Sequence, residues 1–241
     1  MNCTICEDST EIKSIFKSSK YGLRDIIKCN KCNHFMDLTT FKNERTIKQG
    51  GVPSYKLTSK DKITKFIKHK KENFLEGIIN NLRKLGMNKK TELINFLDFG
   101  CGGGEVVLAG NDIFQNSNGV NISNDYYKYI LDKLEINDKK VFNLVTDSVD
   151  KLNKKYDLVI SWHVLEHFQY PQDFINIIKK VVNGYIFIQV PILSDNCIAP
   201  NHYNYFTEES IKIIFEKNNF YTLKCYQDEK CINYIALVQT R

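Results

Sequence analysis

Residues Leu93-Ile94-Asn95-Phe96-Leu97-Asp98-Phe99-Gly100-Cys101-Gly102-Gly103-Gly104 read as a short apolar strand with an acidic residue near its end, followed at once by a glycine turn. Val106-Val107-Leu108-Ala109 then open a helix. Glycines let backbone amides come close to a ligand, and a helix N-terminus offers the positive end of its dipole. The turn is not a phosphate loop, because no Gly-Lys-Ser/Thr closes it. Nor is it the dinucleotide pattern Gly-x-Gly-x-x-Gly, because the third glycine comes one position early.

The context on the C-terminal side decides what the turn belongs to. Residues 117–122 read as a second strand and 124–134 as a helix. A third strand, 140–146, ends at Asp147-Ser148, and a fourth, 156–161, ends at Trp162-His163. A fifth, 184–190, is stopped by Pro191. Thr207 caps a helix over 208–218, and 220–225 and 234–239 read as two closing strands around the polar turn 227–230. Alternating strands and helices predict an α/β fold, a parallel sheet with helices on both faces. Ligands on such sheets bind beyond the carboxyl ends of the strands, where these polar residues fall.

On the N-terminal side, 59–85 reads as a helix starting at Ser59 and ending near Gly86. Its apolar stripe runs from Ile63, Phe66 and Ile67 to Leu82 and Leu85. Lysines 60, 62, 65, 68, 70 and 71 are placed on the other, solvated face. Residues 41–58, with Gly50-Gly51 and Pro53, read as a linker, and Tyr55 stands where it could reach over a cofactor cleft. The expected division is 1–40, 41–92 and 93–241.

Four of the eight cysteines form two pairs, Cys3-Thr-Ile-Cys6 and Cys29-Asn-Lys-Cys32. Two such turns facing each other supply four thiolates at tetrahedral angles, which suits a structural Zn²⁺ with no open coordination position. Two short strands, 12–16 and 25–28, joined through Tyr21-Gly22, complete a zinc ribbon. Asn33 suits the positive φ wanted after the second cysteine of a pair, and Glu7 is the poorer fit. His34 is an alternative ligand, more simply a bystander. Cys101, Cys197, Cys225 and Cys231 lack metal spacing and read as interior residues.

The 241 residues carry a net charge of +6, split unevenly as +10 over 1–92 and −4 over 93–241. A basic N-terminal part suits an anionic partner or simply a solvated surface. No apolar run reaches the ~18 residues of a membrane span. The first residues lack the order of a signal peptide, so reduced thiols and a cytoplasmic setting are expected.

Leu97-Asp98-Phe99-Gly100-Cys101-Gly102-Gly103-Gly104 resembles the first motif of class I S-adenosylmethionine-dependent methyltransferases. Tyr156-Asp157-Leu158-Val159-Ile160-Ser161-Trp162-His163-Val164-Leu165-Glu166-His167-Phe168, continued by Pro171 and Phe174, resembles their fourth-strand motif. Gly184-Tyr-Ile-Phe-Ile-Gln-Val-Pro191 and His202-Tyr-Asn-Tyr-Phe-Thr207 are similar to the fifth strand and following loop of small-molecule members. The resemblance spans about residues 93–241 and implies a Rossmann-like, seven-stranded sheet. A zinc ribbon ahead of that core is similar to some sugar-modifying methyltransferases.

The resemblance also implies roles for S-adenosylmethionine. Gly100, Cys101 and Gly102 carry backbone past its methionyl and ribose part, and Asp98 orients its amino group. Asn121 stands where an acidic residue usually grips the ribose, which removes charge assistance there. Ile122 packs on the adenine, Asp147 and Ser148 meet the ring edge, and Trp162 and His163 line the opposite wall.

Methyl transfer needs a collinear nucleophile and often a proton acceptor. His167 and His202 are the candidates, with Glu166 beside them, and a Glu–His pair would also suit a divalent ion over a diol or catechol. The plainer reading has Glu166 and His167 bonding backbone. Asn204 and Tyr205 are candidate substrate contacts. The fourth-strand end lacks the Asn/Asp-Pro-Pro-aromatic sequence associated with base amines, which argues against a nucleic-acid acceptor. The expected acceptor is small and polar, an oxygen of a nucleotide-linked sugar or phosphorylated precursor of a surface glycan. The alternatives are an RNA methyltransferase using the ribbon and lysines, or a catalytically silent binding module.

Overall fold

A computed structural model describes residues 2–8, 12–18, 22–42, 59–88, 92–136, 141–143, 152 and 154–239. Eleven strands and seven α-helices are found among them. The larger sheet has the strand order β10-β11-β8-β7-β4-β5-β6, and a four-stranded sheet has the order β1-β2-β3-β9. The chain divides into two compact units that are not sequential.

One unit comprises 48–161 and 181–184. It carries β4 (Asn95–Phe99), β5 (Asn116–Asn121), β6 (Val141–Asn143) and most of β7 (Tyr156–Trp162). β4 pairs in parallel with both β5 and β7, and β5 pairs in parallel with β6, so these strands all end at one edge. Asp157 ties β7 to the start of β4, its Oδ2 accepting from the amides of Ile94 and Asn95 at 2.8 Å each.

Ser59 caps α2 (Lys60–Lys70) as the sequence predicts, accepting from the Lys62 amide. The expected single helix is interrupted, because Lys71–Leu75 form a π-helical turn before α3 (Glu76–Lys84). Gly86, at φ 103°, ends α3, and Met87 N donates back to Leu82 O at 3.0 Å, which satisfies a terminal carbonyl. Ile63 of α2 packs with Val107 and Leu108 of α4 (Glu105–Gly110) and with Tyr126, Tyr127 and Ile130 of α5 (Asp125–Leu134).

The other unit comprises 1–47, 162–180 and 185–241. β1 (Ile12–Ser18) and β2 (Gly22–Lys28) form an antiparallel hairpin, reaching two residues further toward the turn on β1 and three on β2 than the sequence suggests. β2 pairs with β3 (Phe35–Asp37), a strand with no sequence signal, which pairs in turn with β9 (Asn204–Tyr205). The first forty residues are therefore tied by sheet hydrogen bonds to the chain near residue 204, and the sequential division into 1–40, 41–92 and 93–241 does not coincide with the compact units. α1 (Leu38–Lys42) follows β3 directly. α6 (Pro171–Val181), β8 (Val182–Pro191), α7 (Glu208–Glu216), β10 (Phe220–Gln227) and β11 (Cys231–Val238) complete the order. Thr207 and Ser210 form a reciprocal capping box at α7. The linker features Gly50-Gly51 and Pro53 lie outside the described residues.

Candidate active site

The glycine turn leaves β4 with Gly100, Gly102 and Gly104 at φ 89°, 53° and 75°. The amides of Gly100 and Cys101 both donate to Val120 O, at 2.7 and 3.1 Å, so the turn is anchored to β5. A Cβ at Gly102 would meet nothing within 4 Å, which leaves that backbone open to a ligand. A Cβ at Gly103 would lie 2.6 Å from Tyr126 Cδ1, and one at Gly104 would strike the Tyr127 ring, so α5 packs directly on the turn. The Cys101 side chain is buried, its Sγ 2.7 Å from where a Cβ at Gly119 would stand.

Asn121, the departure from the acidic pattern, has a structural use. Its Nδ2 donates to Gly102 O at 3.2 Å and Ser123 O at 2.6 Å, which a carboxylate could not do. Ile122, half-buried, follows it.

Two buried carboxyls sit beside the turn. Burial and the neighbouring Glu105 push Asp98 up to about 7, against the pull of Lys70. Burial likewise raises Glu105, whose Oε1 has no hydrogen bond among the described residues. Lys70 was expected on the solvated helix face. It is instead half-buried, with Nζ 5.2 and 5.4 Å from the Phe66 and Phe74 ring centres, and burial lowers its pKa. Sequence reasoning missed Lys70 and Glu105. A lone carboxylate opening the apolar run Val106-Val107-Leu108-Ala109 was the signal for the second.

The second unit carries a carboxylate–imidazole cluster. Glu166 lies in a 3₁₀ turn, Leu165–His167, and is fully buried. Its Oε1 is 3.4 Å from His163 Nδ1 and 4.0 Å from both His167 Nε2 and His202 Nε2. Neither carboxylate oxygen makes a hydrogen bond among the described residues. Burial raises this carboxyl, but the three imidazoles outweigh it and hold it below the usual range. His167 Nδ1 lies 3.0 Å from Asn201 O, and a carbonyl only accepts, so Nδ1 carries a proton and Nε2 is the nitrogen turned to Glu166. Burial pushes His202 down to about 4, which leaves it a neutral imidazole near pH 7. His163, at the unusual φ of 55°, joins this cluster, and its ring is 6.0 Å from that of the half-buried Trp162.

The expected substrate contacts need correction. Asn204 and Tyr205 are fully buried in β9. Asn204 Oδ1 accepts from Thr4 Oγ1 and His34 Nε2, at 2.9 Å each, and its Nδ2 donates to Phe168 O at 2.6 Å. Tyr205 packs with Ile26 and Ile198, and its hydroxyl accepts from the Ala199 amide at 3.3 Å. Both residues are committed to internal contacts. Tyr55, Asp147 and Ser148 lie outside the described residues.

Cys3, Cys6, Cys29 and Cys32 converge, all four Sγ atoms lying within 4.8 Å of one another. The pairs Cys3–Cys32 and Cys6–Cys29 are each 3.5 Å apart, close to the ~3.8 Å between sulfurs bound tetrahedrally at ~2.3 Å. The two turns are built alike: Glu7 N donates to Cys3 O and Asn33 N to Cys29 O, at 3.0 Å each. Glu7, the poorer fit, still takes φ 64° beside 55° at Asn33. Donation from Cys32, against burial, holds Cys3 well below the usual thiol range and drives Cys32 far upward. His34 turns to Asn204 and is no ligand in this geometry. Cys101 and Cys231 are buried, whereas Cys197 and Cys225 are only half-buried.

The profile of the methyltransferase-domain family matches residues 66–224. The chain belongs to that family, and its fold is that of the class I S-adenosylmethionine-dependent methyltransferases. Among solved structures it is similar to an S-adenosylmethionine-dependent methyltransferase from Clostridium acetobutylicum ATCC 824, with TM-score 0.53 and 11% identity over 73% of this chain and 99% of that one. It is also similar to magnesium protoporphyrin IX methyltransferase from Synechocystis PCC 6803 with bound SAH, with TM-score 0.51 and 14% identity over 84% and 94% of the chains. A third is the N-methyltransferase NodS from Bradyrhizobium japonicum WM9 in complex with S-adenosyl-L-homocysteine, with TM-score 0.50 and 14% identity over 74% and 99%. No curated protein matches the sequence. No helix among the described residues is long and apolar enough to cross a membrane.

Proposed function

We propose that the protein transfers a methyl group from S-adenosylmethionine to an oxygen of a small polar acceptor, such as a nucleotide-linked sugar or a phosphorylated glycan precursor. The carrying observation is the glycine turn, with its open face at Gly102 beside the buried carboxyls Asp98 and Glu105. A buried acid pair, one of its oxygens unbonded among the described residues, beside an open stretch of backbone fits a donor that bears an ammonium and a sulfonium.

Bound S-adenosylmethionine would supply the electrophilic methyl. The backbone of Gly100, Cys101 and Gly102 would pass its methionyl and ribose part, with Asp98 holding the amino group. Asn121 Oδ1 would accept from one ribose hydroxyl, its Nδ2 being used on the turn. Ile122 would cover the adenine, with Asp147 and Ser148 at its edge and Trp162 and His163 on the other wall. The acceptor's proton would leave within the Glu166, His167 and His202 cluster. Cys3, Cys6, Cys29 and Cys32 would hold a structural Zn²⁺, which requires reduced thiols and suits a cytoplasmic setting.

The RNA reading gains little from the lysine-rich segment. Lys60, Lys68 and Lys71 are within ion-pair distance of Glu135, Glu72 and Asp112. Turnover of S-adenosylmethionine against sugar nucleotides, phosphorylated metabolites and RNA is the test. Methylation of an oxygen in the first two groups supports the proposal. Turnover with RNA alone, or calorimetry without S-adenosylmethionine binding, overturns it.

A further inference from the structure

We infer that Glu166, His167 and His202 form a second metal site, distinct from the four cysteines, for a divalent first-row transition ion. One carboxylate oxygen and two imidazole nitrogens lie within 4.8 Å of one another. Nitrogen and oxygen ligands at ~2.1 Å from a common ion stand about 3.0–3.5 Å apart, so the two 4.0 Å separations close with side-chain shifts of roughly half an ångström.

Three further features point to an ion. First, Glu166 is fully buried with both oxygens unbonded among the described residues, although three imidazoles surround it. At 3.4–4.0 Å these rings are too distant for good hydrogen bonds, so the cluster solvates the carboxylate poorly without a central cation. Second, the Asn201 carbonyl fixes the Nδ1 proton of His167 and leaves Nε2 as a ligand, the arrangement by which metal-binding histidines are held. Third, the two loops are clamped together, because Tyr203 N donates to Glu166 O at 2.9 Å beside His202.

The donor set indicates the ion. Two imidazoles and a carboxylate without sulfur suit Mn²⁺, Fe²⁺, Co²⁺ or Zn²⁺ better than Mg²⁺ or Ca²⁺. Three protein ligands leave a position open, and an ion there would lower the pKa of a bound acceptor hydroxyl. His167 and His202 then serve as ligands and not as bases, a consequence that rests on the methyl-transfer reading. Metal binding itself does not.

The test uses the full chain with the cysteine site loaded with Zn²⁺ and with neither S-adenosylmethionine nor acceptor present. Mn²⁺ titration followed by electron paramagnetic resonance should show one ion bound per chain. Glu166→Gln and His202→Asn should each weaken it at least tenfold, with unchanged circular dichroism. Co²⁺ should give visible bands of a nitrogen–oxygen site, without added thiolate charge transfer. No ion beyond the cysteine site, or variants that bind as the wild type does, would overturn the inference. Because no turnover is measured, a failed methyl-transfer reading leaves this result unaffected.

Discussion

Asn204 Oδ1 lies 2.9 Å from His34 Nε2, joining a residue two positions past the second cysteine pair to the strand that follows His202. The bond is buried, and it is reinforced by Thr4 from the first cysteine turn. Burial lowers the His34 pKa; its Nε2–H donates to Asn204, whose Oδ1 only accepts, and its buried Nδ1 has no hydrogen bond among the described residues. The cysteine turns and the loop carrying His202 are thereby parts of one hydrogen-bonded assembly.

Asn204→Ala strips partners from His34, Thr4 and Phe168 O at once. Leaving such buried groups unsatisfied costs about 1–3 kcal/mol apiece, so a fall in stability of at least about 2 kcal/mol is expected in urea denaturation. A change below about 0.5 kcal/mol would show that the network is not structural.

Removing metal from the cysteine site should be felt well beyond residue 40. β3 pairs with β9, and Asp37 N donates to Tyr203 O at 3.0 Å. Chelation of the zinc-loaded protein should speed amide exchange at Phe35–Asp37 and, with it, at Asn204 and Tyr205. Exchange that changes only before residue 40 would refute the coupling.

Asp98 sets a pH dependence of opposite sign to that of an ordinary ion-paired carboxylate. Its folded pKa is about 7 against 3.8 unfolded, so the folded state binds the extra proton between those values. Stability falls as pH rises through that window and then levels. Relative to wild type, Asp98→Asn should gain a few kcal/mol at pH 8 and little near pH 4, in paired urea melts. Glu105, also raised, keeps a residual slope in the variant. Calorimetry at pH 6.5 in buffers of different ionisation enthalpy should show proton release on S-adenosylmethionine binding.

Two glycines should respond oppositely to alanine. Gly104→Ala places a Cβ on a left-handed residue and against the buried Tyr127 ring, so a loss of about 1–3 kcal/mol and a drop in S-adenosylmethionine affinity are expected. Gly77 lies inside α3 with nothing within 4 Å of a Cβ, and Gly77→Ala should stabilise by about 0.5–1 kcal/mol without altering that affinity. Thermal melts and calorimetry on both variants check this.

Local pattern along the chain suffices for the alternating strands and helices, the glycine turn after Asp98 and the pairing of the cysteines. These depend on local periodicity, glycine's tolerance of positive φ and the short reach of Cys-x-x-Cys. It also put His167 and His202 after successive strands of one sheet, which is as near as chain order brings them. Only the folded chain shows that His163 joins them around one carboxylate, that Lys70 leaves the solvated face, and that Asn204 and Tyr205 are enclosed. Each of those outcomes depends on contacts between segments far apart in the chain: the two-residue pairing of β3 with β9, the packing of α2 and its π-helical turn against α4, and an internal hydrogen-bond network. No window of neighbouring residues encodes such contacts, because their stability comes from burial and from satisfying polar groups after the chain has folded.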